Sequence, residues 1–206
     1  MLTRLAPRFR RFAAADAGIA AVEMALITPV ALALLSLTVA SGQCLNNWRR
    51  TVATAHAVTD LVSRTPDTTA DPAITNAEDL DQSALINVLA LSQLMMYPAS
   101  TNTLQIVLTE ILVNTINNTG KVVWSQGYNG GTPTACNTTF TLNSNISSAG
   151  ATYLLVGSAT YSFQPLGVIT NLPSMTFSAS DMLTIRYAPQ IVVTNVTNTS
   201  TFTKCP

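Results

Sequence analysis

The chain has 206 residues, ten basic and ten acidic, with 48% hydrophobic and only 10% charged. An ordinary soluble domain carries about 25% charged residues, so this composition does not describe a plain soluble domain. A net charge of zero also leaves no large basic patch to neutralise phosphates, which argues against nucleic acid as a partner.

The charges are unevenly placed. Arg4, Arg8, Arg10 and Arg11 crowd residues 1–18, against a single acid, Asp16. From Ile19 to Gly42 the chain is apolar apart from Glu23 and a few hydroxyls. As a helix this run is about 36 Å long, enough to span a bilayer and longer than the core of a signal peptide. Four arginines before the run outweigh Arg49 and Arg50 after it. The positive-inside rule therefore puts the head in the cytoplasm and the rest of the chain outside. Glu23 is the anomaly in this layout. An ionisable group at the centre of a membrane helix costs about 2.5–3.5 kcal/mol on insertion scales, and less near an interface.

The stretch GIAAVEMALITP, Gly18 to Pro29, resembles a type IV prepilin processing site. It is similar in particular to the TadE/TadF group of minor pilins of the tight-adherence (Flp) pilus system. That group's pattern reads G-x-x-x-V-E-[aromatic]-A-L-x-x-P behind an arginine-rich leader. Met24 stands here where the group has an aromatic residue. The resemblance implies cleavage by a prepilin peptidase between Gly18 and Ile19, on the cytoplasmic side of the helix, which stays in the membrane. It also implies that Glu23 pairs with the new Ile19 amine of a neighbouring subunit, since a membrane carboxylate is tolerated when a counter-charge meets it. The alternative is a glutamate at the interfacial end of an ordinary anchor, snorkelling to the headgroups. Pro29 lacks an N–H and bends a helix. It is either a point where the helix unwinds on entering a filament or a kink that neighbouring helices tolerate. The partners implied are the prepilin peptidase, other major and minor pilins, and the assembly platform of a bacterial inner membrane.

Residues 43–65 extend the helix. Leu45, Trp48, Val52, Ala55, Thr59 and Val62 recur at spacings of three or four, with Val58 and Leu61 widening the stripe. Trp48 also suits an interfacial anchor. His56, the chain's one histidine, has no metal-spaced partner and reads as a surface or packing residue. Pro66 ends the helix, and an acidic connector follows. Thr75 and Glu78 form a capping-box pattern that opens a second helix. Leu80, Ile86, Leu89, Leu94 and Met95 supply its apolar content, and Met95–Met96 reads as gap-filling core.

After Pro98 the pattern turns to strands: LQIVLTEILV, KVVWSQGY, TYLLVGSATYSF and MTFSASDMLTIRY, with a turn at Asn129–Gly131. The group from Tyr161 to Tyr187 is also TadE-like. The predicted class is α+β: a long membrane-spanning helix, then an exported domain over 66–206 with three to five antiparallel strands against the helix. Cys44, Cys136 and Cys205 leave three pairings open. Cys136–Cys205 is favoured because it would pin the chain's tail to the sheet. Five Asn-x-Ser/Thr sequons follow from a composition rich in those residues, and the bacterial reading leaves them unmodified.

Enzymatic function finds little support. Beyond His56 there is no histidine, no G-x-S-x-G and no Walker loop, and Glu110 and Asp181 are the only acids after Asp81. One acid on each of two strands reads as two solvent-facing positions, so no catalytic residue, cofactor or metal is expected. The rival to a pilin is a tethered glycan- or surface-binding module, with Trp124 and Tyr128 beside the NGG turn stacking on a sugar. A tethered hydrolase is the more distant one.

Overall fold

The computed structural model describes residues 16–64, 77–147, 153–165, 173–186 and 190–206. The leader arginines, Pro66, Thr75 and Tyr187 lie outside them. The α+β class expected from the sequence holds: one long apolar helix, then a domain built on an antiparallel sheet. The chain divides into two compact units, Met1–Cys44 with Gln164–Pro173, and Leu45–Phe163 with Ser174–Pro206.

Helix α1 runs from Asp16 to Ser63 without a break at Pro29. In the first unit most of its described surface is exposed, Ala40 being an exception. Val22, Leu26, Ile27, Val30, Leu34 and Leu37 are all exposed, on a segment long and apolar enough to cross a membrane. The hydroxyls in this run turn inward onto their own helix. Thr28, Ser36, Thr38 and Ser41 each donate to the carbonyl four residues back, at 2.6, 2.7, 2.9 and 2.8 Å. That bonding satisfies each hydroxyl without water, as a lipid environment requires.

The second unit starts at Leu45, so the last part of α1 belongs to the domain. It also contains strand β1 (Ala77–Asp81) and two short helices, α2 (Gln82–Ala90) and α3 (Ser92–Met96). Strands β2 (Leu104–Asn114), β3 (Thr119–Tyr128) and β4 (Thr139–Thr141) follow, then helix α4 (Ser144–Ser147). The remaining strands are β5 (Tyr153–Phe163), β6 (Met175–Thr184), β7 (Gln190–Thr194) and β8 (Phe202–Lys204). The main sheet has the order β4-β3-β2-β5-β6, and β8 also pairs with β3. Every pairing in it is antiparallel. The four long strands fall where alternation and turn residues put them, but the sheet has six strands rather than three to five. A separate pair, β1 with β7, runs parallel, in register from Ala77↔Gln190 to Asp81↔Thr194.

The main core lies on one face of the sheet. Leu104, Ile106 and Leu108 of β2 meet Val58 and Val62 of α1, Leu85 and Leu89 of α2, and Ile191 of β7. Helix and sheet approach closely at Gly157. A Cβ there would sit 1.8 Å from Thr59 Oγ1 and 3.2 Å from the Ala55 carbonyl oxygen, so no side chain fits. The helix face that enters this contact corrects the expected stripe. Ala55, Val58, Thr59 and Val62 are buried, but so are Asn47, Thr51 and Thr54, while Leu45, Trp48, Val52 and Leu61 are exposed. Small hydroxyl residues fit the tight contact, and the bulky apolar ones are displaced from it.

The second helix is corrected too. Glu78 lies in strand β1, and the N-cap is Asp81, whose carboxylate accepts from the Ser83 amide at 2.7 Å. Of the methionine pair, Met96 fills the core, while Met95 and Leu94 are exposed.

A register shift at Glu110/Ile111 sets Glu110 opposite Trp124 and Ile111 opposite Val122, leaving Val123 as the extra residue of a bulge. Ile111 thereby joins Leu142, Leu154 and Val156 in a smaller core on the other face. The end of the chain is tied down. Cys136 and Cys205 form a disulfide, Cα–Cα 5.4 Å, and Phe202 stacks on Trp124 with centroids 6.2 Å apart. Buried Gln82 accepts from the amides of Thr197 and Asn198 at 2.8 and 3.0 Å, and donates to Gln126 at 2.9 Å.

Candidate functional site

Gly18 and Ile19 fall in the first turn of α1, which begins at Asp16. Glu23 follows Ile19 by four residues, so the two share one helix face about 6 Å apart along the axis. The Glu23 side chain is exposed, among Val22, Met24 and Leu26, which are exposed as well. No hydrogen bond or ion pair reaches it among the described residues. Pro29 lies further along the same helix. A single carboxylate thus stands among exposed apolar side chains.

The acids of the domain do not form a joint site. Asp181 sits on β6 and accepts from His56 Nδ1 at 2.5 Å, with both side chains partly in solvent. This places His56 on the surface, holding α1 to the sheet's last strand. Glu110 lies two strands away on β2 and is fully buried, not solvent-facing. Its Oε1 accepts from the Ile191 amide at 2.9 Å, and Trp124 Nε1 donates to the Ile191 carbonyl at 2.9 Å. One residue of β7 is therefore gripped at both of its backbone polar groups by side chains from β2 and β3. Glu110 Oε2 has no partner among the described residues. The sequence carried a signal for this burial: Glu110 interrupts LQIVLTEILV, an otherwise apolar and β-branched run.

Burial pushes the Glu110 carboxyl up to about 7, against the opposing hydrogen bond from the Ile191 amide. The folded state thus holds this proton more tightly than the unfolded chain, whose carboxyl titrates near 4.5. Stability from this group is greatest below the unfolded value and falls as pH rises toward 7, by about 3 kcal/mol in all. Glu110→Gln should abolish that fall. In urea unfolding of the full chain in detergent, followed by tryptophan fluorescence, the parent should lose stability between pH 5 and pH 8. The variant should hold its midpoint over the same range. A parallel decline in both would show that Glu110 is not its source.

The aromatic pair offered for sugar stacking is also occupied. Trp124 is 3% exposed beneath Phe202, and Tyr128 packs half-buried against the core. The adjoining turn has Asn129 and Gly130 at φ 51° and 83°, the left-handed region that suits those two residues. Asn129 Nδ2 donates to the carbonyls of Thr101 and Leu104, at 3.0 and 2.6 Å, so the turn is braced against the start of β2. Among the described residues no group of three His, Cys, Asp or Glu side chains is arranged to hold a metal ion. Comparison with protein-family models, curated proteins and solved structures finds no match to this chain.

Proposed function

We propose that this chain is a TadE-like minor pilin, a structural subunit required to assemble a tight-adherence type pilus and so to support surface adhesion. A prepilin peptidase cuts it between Gly18 and Ile19. Its apolar helix then remains in a bacterial inner membrane, with the N-terminal side cytoplasmic and the domain periplasmic. Its partners are other major and minor pilins and the assembly platform, and it has no catalytic activity of its own. The observation that supports this most is Glu23: a carboxylate without a partner among the described residues, four residues beyond Ile19 on an exposed apolar helix segment. A charge in that position calls for a counter-charge from another molecule. An ordinary anchor gives no reason for a glutamate at that spacing from Gly18. The glycan-binding rival is weakened because Trp124 is buried.

The test is N-terminal sequencing of the membrane-bound protein from its native host. The mature chain should begin at Ile19. Gly18→Leu should stop the cut, because a Cβ and its branches obstruct the close backbone approach a peptidase needs. A chain that keeps Met1, or one that begins beyond Gly42, would refute the reading.

A further inference from the structure

Several exposed apolar side chains of the second unit lie near the start of its helix. Leu45, the first residue of that unit, is exposed and joins through Cys44 to the apolar run of α1. Trp48, one helical turn further, is 47% exposed. Arg50 brings α3 to the same level of the helix, donating from Nη1 to the Met96 carbonyl at 3.1 Å and also to the Tyr97 carbonyl. Around that contact Leu94 is 72% and Tyr97 79% exposed, with Met95 beside them, although Ser92 and Met96 of the same short helix are buried. The α3 segment therefore turns only one side into the core. Its other side carries large apolar groups into the surroundings.

The charges within these two stretches of chain, residues 43–59 and 82–109, are of one sign. Arg49 is exposed and Arg50 partly so. No acid occurs from residue 43 to residue 59, nor from residue 82 to residue 109. An end of a domain that combines Trp, Tyr, Leu and Met with two arginines, and continues directly into an apolar helix, has the composition of a membrane-interface belt. Anionic headgroups attract juxtamembrane arginines, and the amphipathic rings of Trp and Tyr settle at headgroup depth.

We infer that this end of the domain is a second membrane contact: α3 with Tyr97, together with Trp48 and Arg49, seats on the surface of a bilayer bearing anionic lipid. The inference rests on α1 crossing a membrane and is independent of the pilin reading.

The test uses the full chain with Cys44→Ser, reconstituted at high dilution in phosphatidylglycerol–phosphatidylcholine vesicles. An environment-sensitive fluorophore is attached in turn at Leu94→Cys, Tyr97→Cys, Ile116→Cys and Leu34→Cys. Ile116 is 89% exposed and lies past the far end of β2, roughly 35 Å from Leu104 at about 3.3 Å per residue. Lipids brominated near the headgroup end of the acyl chain should quench the labels at 94 and 97 several-fold more than the label at 116. Raised salt and Arg49→Gln should both reduce that difference. Equal quenching at 94, 97 and 116 would overturn the inference. So would protection at 94 and 97 that appears only as the protein-to-lipid ratio rises, which would assign the surface to another copy. The label at 34 reports membrane crossing separately, and if it escapes quenching the inference falls with the membrane itself.

Discussion

Replacing Glu23 with alanine is expected to abolish pilus assembly while leaving membrane insertion and cleavage after Gly18 nearly intact. Removing a carboxylate from an apolar helix makes insertion easier, so export should not suffer. In the assembled filament the Ile19 amine of the adjoining subunit would lie buried without its counter-charge. A broken buried pair costs about 3–5 kcal/mol, which lowers association by roughly two to three and a half orders of magnitude. Glu23→Gln keeps the shape and loses the charge, and should fail almost as completely. The measurement is co-purification of cleaved protein with other pilins, beside a count of pili by electron microscopy, for both variants and the parent. An interfacial glutamate that snorkels to headgroups gives a different result, with Ala neutral at both steps. Normal pili in Glu23→Ala would therefore remove the pairing role, and failed cleavage would reassign the residue to peptidase recognition.

Loss of the Cys136–Cys205 bridge should destabilise the domain by about 4 kcal/mol, since it closes a long loop and restricts the unfolded chain. The two cysteines are separated by 69 positions in the chain. The bridge secures β8, whose Phe202 covers Trp124, and Cys205 also donates its amide to the Val123 carbonyl at 2.8 Å. Cys136→Ala, Cys205→Ala and the double variant should lose the same stability, because each removes one and the same constraint. Chemical unfolding of the full chain in detergent measures this, with non-reducing peptide mapping to show the linked peptides in the parent. Additive losses in the double variant would mean that the two side chains contribute separately. A peptide linking Cys44 to either partner would overturn the assignment.

The long strands were legible because alternation and turn chemistry agree there, as in LQIVLTEILV followed by Asn118 and Gly120. The shorter ones were not. β4 and β8 span three residues each, too few to establish a period. Ala77–Asp81 is acid-rich and reads as a helix start, and only its pairing with the apolar β7 makes it a strand. The buried face of α1 was half legible. Hydropathy marks Leu45, Trp48 and Val52 as core, but it cannot tell a surface that meets a sheet from one that meets lipid. The tight approach at Gly157 places Thr59 and Ala55 against the sheet, and Thr51 and Thr54 are buried on the same helix. The burial of Glu110 was not legible because what seals it, β7, comes from 81 positions further along, as Ile191. For the candidate site, the sequence placed Glu23 and Pro29 on one apolar helix that starts at Ile19, and the helix in fact begins earlier, at Asp16, so that it takes in Gly18. Glu23 is exposed on that helix, with no hydrogen bond or ion pair among the described residues.

The parallel pair β1–β7 has a consequence for the order of events when the protein is made. It joins Ala77 to Gln190, and the same late segment supplies β8 to β3, the amides for Gln82 and the donor for Glu110. A nascent chain, whether emerging from a ribosome or threading through a membrane, cannot close this domain from the front. Until residues 190–206 arrive, part of the outer edge of β3 is unpaired and the Glu110 carboxyl lacks its amide donor. Such long-range closure is slow and leaves an open strand edge exposed to wrong partners in the interval. Maturation of the domain is therefore timed by the arrival of residues 190–206, which complete these pairings together.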